Sequence, residues 1–207
     1  MGFRFYALGL VGVCVVVYLL QLMYPVITDS FVLVSSEVFA KPWTLVTSMF
    51  LHSPTDPSHL FYNMFALGLF GSILERVIGG RKFLIIFFVT GVIAGIGSLF
   101  FYTAVLGASG AIMGILGCLA ILRPRMIVWA LGVPMPMIVA AGFWALLDLV
   151  GFFSQGGSIA NAAHLAGLFS GVAIGFFWRT GAKEPRREDA VDEKDIDQWE
   201  DQYMGRE

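Results

Sequence analysis

From Phe83 to Leu122 the chain runs 40 residues without one charged side chain. A hydrocarbon core of about 30 Å is crossed by about 20 helical residues at 1.5 Å each, so this run holds two crossings. Tyr102-Thr103 and the stretch Gly107-Ala108-Ser109-Gly110 divide it. Phe5 to Thr28 is a second uncharged run. It has no small-residue cleavage site behind a short apolar core, so it reads as a retained helix, not a removed signal peptide. Charged residues are 14% of the chain and hydrophobic ones 57%, against about a quarter charged in a soluble domain. A lipid bilayer is therefore the first partner.

Six spans follow. Span one runs from about Tyr6 to Tyr24 and ends at Pro25. A long loop, Val26 to Ser58, contains a semi-apolar segment, Phe39 to Leu51, that reads as partly membrane-embedded with Trp43 at headgroup level. Span two begins near His59 and ends at Glu75-Arg76, and a basic turn, Gly79 to Lys82, leads into span three. Span four, Ser109 to Leu122, is closed by Arg123-Pro124-Arg125. Span five is expected from Ile127 to about Phe152, with Pro134, Pro136 and Asp148 inside it. A polar turn, Ser154 to Ser158, precedes span six, Asn161 to Trp178. The fold class is thus an all-α polytopic membrane protein, a six-helix bundle with a long first loop. Residues 1–178 form the membrane domain. Residues 179–207, which include Trp199 and Tyr203, form a charged, flexible tail.

Arg4, Arg76, Arg81, Lys82, Arg123, Arg125, Arg179, Lys183, Arg186 and Arg187 fall on one side of this topology, and only Lys41 on the other. Basic residues favour the cytosolic side, so both termini are expected there, in the cell membrane. Net charge is −2 and the basic residues form short clusters without a stripe, which argues against nucleic acid. Cys14 and Cys118 sit inside apolar runs and read as packing residues.

Counting from the cytosolic ends gives the polar residues a depth. Ser109 to Leu122 is about 21 Å of helix, which leaves Ser109 roughly 9 Å below the outer boundary of the core. His164, counted back from Arg179, comes to roughly 8 Å below it, and His59, counted back from Glu75, to roughly 6 Å. Asn63 lies one turn further in, on the face of His59. The same count puts Asp148 about 34 Å past Arg125, near the outer interface.

A serine hydroxyl becomes a nucleophile only when a base takes its proton. His164 is the candidate base. Gly167 and Gly171 on its helix, facing Gly110, Gly114 and Gly117 on span four, allow the close approach that would join His164 to Ser109. No carboxylate is expected at that depth to orient His164, so a dyad is expected. The side chains of His59 and Asn63, with the Ser109 backbone N–H, are candidate oxyanion donors. A metal site would need further ligands there, and neither a metal nor a cofactor is expected. His52 reads as a loop or interface residue.

The ordered set His59-x-x-x-Asn63, Gly107-x-Ser109-Gly110 and Ala163-His164-x-x-Gly167-x-x-x-Gly171 resembles the rhomboid intramembrane serine proteases. Phe50-Leu51-His52, Gly71 and Glu75 fit the same pattern, which covers roughly Trp43 to Trp178. The resemblance implies a six-helix rhomboid-like fold and cleavage of single-pass transmembrane proteins near the outer side of the bilayer. It implies Ser109 as nucleophile, His164 as base, and His59 and Asn63 as oxyanion donors. Trp43-Thr44 departs from the family's common Trp-Arg in the first loop. Two alternatives compete with a protease: an inactive relative that binds transmembrane segments without cutting them, and a small transporter. The chain keeps both Ser109 and His164, and it has no internal repeat of the transporter kind.

Overall fold

The computed structural model describes residues 5–130, 132–154 and 160–181. Helix α1, Tyr6–Met23, buries Ala7, Leu10, Cys14, Tyr18 and Gln21. These residues recur at three- and four-residue steps, one face of a helix, and the rest of α1 is turned outward. The short helix α2, Val26–Phe31, starts directly after Pro25. It is followed by strand β1, Leu33–Val34, and the single-turn α3, Thr44–Thr47. Helix α4, Pro57–Ile78, contains a π-turn at Leu67–Gly71. Helix α5, Gly80–Ser98, strand β2, Ala104–Val105, and helix α6, Ser109–Leu122, come next. Strands β3, Ile127–Ala130, and β4, Val133–Pro136, precede α7, Met137–Ser154, and α8, Asn161–Gly181.

Five of these helices, α1, α4, α5, α7 and α8, are long and apolar enough to cross a bilayer, and α6 is a shorter apolar helix. Every residue of α6 from Gly110 to Ile121 is buried, so it is the axis around which the others pack. Its apolar residues face all directions, as expected of a helix enclosed by protein. The core joins α6 residues Ile115, Cys118 and Leu119 to Leu67 and Leu74 of α4 and to Phe83, Ile86 and Phe87 of α5.

Polar groups at both ends of α1 are matched. The buried Glu75 carboxylate accepts the backbone N–H groups of Tyr6 (3.0 Å) and Ala7 (2.9 Å), closing the start of α1. Those N–H groups have no partner inside their own helix, and the positive end of the helix dipole favours an anion. At the opposite end of α1, Gln21 exchanges two hydrogen bonds with the backbone of His52, each 3.0 Å, and donates to Thr28 Oγ1 at 2.9 Å. The first loop is thereby tied to span one.

That loop also carries the chain that leads into α6. β1 pairs antiparallel with β2, Leu33 opposite Val105 and Val34 opposite Ala104. The Gly107 N–H donates to the Ser48 carbonyl at 2.9 Å. Irregular backbone at membrane depth must find partners in protein or water, and here the first loop supplies them.

The expected span five is corrected at its start. Residues 127–136 form a β-hairpin, with Ile127 opposite Pro136 and Ala130 opposite Val133, so the helix begins only at Met137. An apolar run reads the same whether it forms strand or helix, and Pro134 and Pro136 suit a strand edge. Span six extends past Trp178 to Gly181. Arg4, residues 155–158 of the polar turn, and residues 182–207 of the tail, with Lys183, Arg186, Arg187, Trp199 and Tyr203, lie outside the described residues.

Candidate active site

Ser109 is the first residue of α6. Two residues before it, Gly107 has φ +117°. L side chains rarely adopt that conformation, and a Cβ at Gly107 would also stand 2.9 Å from Cε1 and Nε2 of His59. Glycine is required here on both counts: the turn that delivers Ser109 also presses its backbone against the His59 imidazole.

His164 lies in the first turn of α8, its N–H donating to the Ala160 carbonyl at 3.1 Å. Its Nε2 is 2.7 Å from Ser109 Oγ, across a sequence separation of 55 residues. The helices meet through glycines. A Cβ at Gly167 would fall on the Gly110 carbonyl, one at Gly171 on the Gly114 carbonyl, and one at Gly117 on the Leu168 carbonyl. On the other side of α6, Gly110 faces Ala94 and Gly114 faces Thr90, both of α5. No side chain separates α6 from α8 at these levels, so a serine and a histidine on facing helices reach hydrogen-bonding distance. Both are only partly buried, which leaves the pair accessible.

The expectation that no carboxylate reaches His164 is overturned. Asp148 Oδ1 lies 2.9 Å from His164 Nδ1. Asp148 is only 8% exposed, buried among the helices. The depth count failed because it treated residues 127–136 as helix. Counted from Met137, Asp148 is about 17 Å along α7. Asn161, at the start of α8 and 6% exposed, completes the cluster. With its amide oriented to suit its neighbours, Nδ2 donates to Asp148 Oδ1 at 2.8 Å and Oδ1 accepts from the Phe152 N–H at 3.3 Å. The sequence held a signal for this. A carboxylate within a span is costly and nearly always paired, a rule that asks for a partner to Asp148.

His59 and Asn63 lie one turn apart on α4. The Asn63 Nδ2 donates to the His59 carbonyl at 2.8 Å, which uses one of its two N–H groups. Asn63 Oδ1 is buried and has no hydrogen-bond partner among the described residues. The His52 ring packs 5.3 Å from that of His59, centroid to centroid. His52 is fully buried, and neither of its ring nitrogens has a hydrogen-bond partner among the described residues. Burial, and then the neighbouring His59 imidazole, push its pKa down to about 4.

An ionised carboxylate only accepts hydrogen bonds, so His164 Nδ1 donates to Asp148 and Nε2 is left to accept from the Ser109 hydroxyl. Hydroxyl, imidazole and carboxylate in line have the geometry of an activated nucleophile, in which a base is oriented by a third group.

The family model for the rhomboid domain matches residues 40–180. The chain is 28% identical over 173 residues to the mitochondrial Rhomboid protein 1 of Saccharomyces cerevisiae, covering 77% of this chain and 48% of that one. It is 34% identical over 134 residues to the Rhomboid protease GluP of Bacillus subtilis, covering 62% and 24%. It is 28% identical over 182 residues to the Rhomboid protease GlpG of Yersinia pseudotuberculosis, covering 84% and 62%. The matched region spans from a quarter to about three fifths of the length of these relatives.

Proposed function

The chain belongs to the rhomboid family, and from that premise we propose that it is an intramembrane serine endopeptidase that cuts transmembrane segments of single-pass membrane proteins near the outer side of the bilayer. The observation that carries the reading is the 2.7 Å contact between Ser109 Oγ and His164 Nε2 at a partly open position. In the proposed reaction Ser109 attacks the scissile carbonyl while His164 takes the hydroxyl proton. The Ser109 N–H and the side chains of Asn63 and His59 hold the oxyanion. The tetrahedral adduct collapses to an acyl-enzyme as His164 protonates the leaving amine. Water, activated by the same histidine, then releases the acyl product.

Residues 1–178 are the protease domain in this reading, and residues 179–207 a cytosolic tail. Both termini face the cytosol, as the basic residues at the ends of the spans favour. The multi-pass helical character itself follows from the apolar helices and the family. A non-cleaving relative has no observation in its favour, since the serine and its base are both in place.

The test is labelling with a fluorophosphonate, together with cleavage of a transmembrane substrate in proteoliposomes. Wild-type protein should be labelled at Ser109, and Ser109→Ala should lose both labelling and cleavage. His164→Ala should lose turnover with the fold retained. Unchanged proteolysis by the Ser109→Ala protein would refute the assignment.

A further inference from the structure

We propose that Asp148, fixed by Asn161, is the positioning residue for His164. This rests on the serine-protease reading above and gives its base a third member. Three helices meet in the cluster: Ser109 from α6, Asp148 from α7, and His164 with Asn161 from α8. Asp148 Oδ1 receives two hydrogen bonds, from His164 Nδ1 at 2.9 Å and from Asn161 Nδ2 at 2.8 Å. Asn161 is locked in turn by the Phe152 N–H. It is also seated against Gly151, where a Cβ would stand 2.7 Å from the nearest atom of the Asn161 amide group. The site is built to hold one carboxylate in one orientation.

Burying a carboxylate between helices is expensive, and α7 and α8 could be joined more cheaply by apolar packing. Two consequences for chemistry follow from its presence. The acceptor-only carboxylate selects the Nδ1–H tautomer, which leaves the Nε2 lone pair aimed at Ser109. When Nε2 takes the serine proton, the imidazolium forms with its counter-charge already in place and held, so no group has to rearrange to supply one. The proton passes only between Ser109, His164 and the leaving amine.

The experiment uses the full chain in lipid nanodiscs and reads two signals. The first is the nitrogen-15 NMR tautomer of His164, assigned by difference against His164→Gln. The second is the split between kcat and KM for a transmembrane substrate. Wild type should show Nδ1–H. Asp148→Asn should lose that preference and lower kcat by about 100- to 10 000-fold, with KM within about twofold. Asp148→Glu, which restores a carboxylate, should recover part of kcat. An Asp148→Asn protein that keeps the wild-type tautomer and a kcat within about threefold overturns the proposal.

Where Asp148→Asn does not fold, Asn161→Ala keeps the carboxylate but frees it, and should give mixed tautomers and a lower kcat. Unchanged values there overturn the proposal equally. The tautomer reports on Asp148 without any need for proteolysis. A wild type that never cleaves, yet shows an Asp148-dependent tautomer, defeats the protease reading and leaves the positioning role standing.

Discussion

Gly171 on α8 lies against the backbone carbonyl of Gly114 on α6, with no room for even a methyl group between them. One turn earlier Gly167 meets the Gly110 carbonyl in the same way. These contacts set the distance between the helix that starts with Ser109 and the helix that carries His164. Replacing Gly171 with Ala should therefore cost about 1–3 kcal/mol in overpacking and lower turnover by parting the pair. Thermal unfolding in detergent and fluorophosphonate labelling rates check both effects. Gly142→Ala on α7, where nothing lies within 4 Å, is the control. It should change stability by less than about 1 kcal/mol.

The oxyanion donors give a graded prediction. Asn63→Ala and His59→Ala should each reduce kcat by about 100- to 1000-fold, the usual loss for one such donor. Both variants should still be labelled at Ser109, more slowly than wild type. Steady-state kinetics on a transmembrane substrate provide the measurement, and a loss seen only in KM would contradict the assigned role.

Glu75 tests how the far end of the bundle is held. Its two carboxylate oxygens cap Tyr6 and Ala7 at the start of α1, distant in sequence by 69 and 68 residues. Glu75→Ala should destabilise the fold by about 1–2 kcal/mol, the cost of a lost cap. Glu75→Gln should cost less, because one side-chain oxygen still accepts. Fluorophosphonate labelling of the folded fraction should be unchanged in both.

His52 predicts acid sensitivity. Its folded-state pKa is pushed down to about 4, first by burial, whereas an unfolded histidine titrates near about 6.5. Between those values the unfolded chain binds the proton and the folded one does not, so stability rises with pH across that window. Full stability is expected above about pH 6.5, with up to about 3 kcal/mol lost as pH falls toward 4. Unfolding midpoints from pH 7 to 4 should fall more steeply for wild type than for His52→Gln.

Much of the bundle could be read from residues in order, because lipid solvation is a local demand. The bounds of α6 follow from Ser109 after its glycines and from Arg123 at the other end. The start of α1 and its end at Pro25 follow from the same logic. Gly110, Gly114, Gly167 and Gly171 announced a close contact between two particular helices, since small residues at four-residue steps serve little else within a membrane. The hairpin at residues 127–136 was hidden, because apolar residues satisfy lipid or core in strand and helix alike. The pairing of β1 with β2, which seats the turn before Ser109, joins segments about 70 residues apart and leaves no periodic trace.

By itself, then, the sequence determined the polytopic helical class, the facing glycines, and the candidacy of Ser109 with His164. These rest on residue type and spacing, which are properties of the chain in one dimension. Only the tertiary structure decided that Asp148 and Asn161 join them. Their meeting depends on where α7 begins and how it is rotated against α8. A ten-residue non-helical segment sets that register, and a rise of 1.5 Å per residue does not measure it.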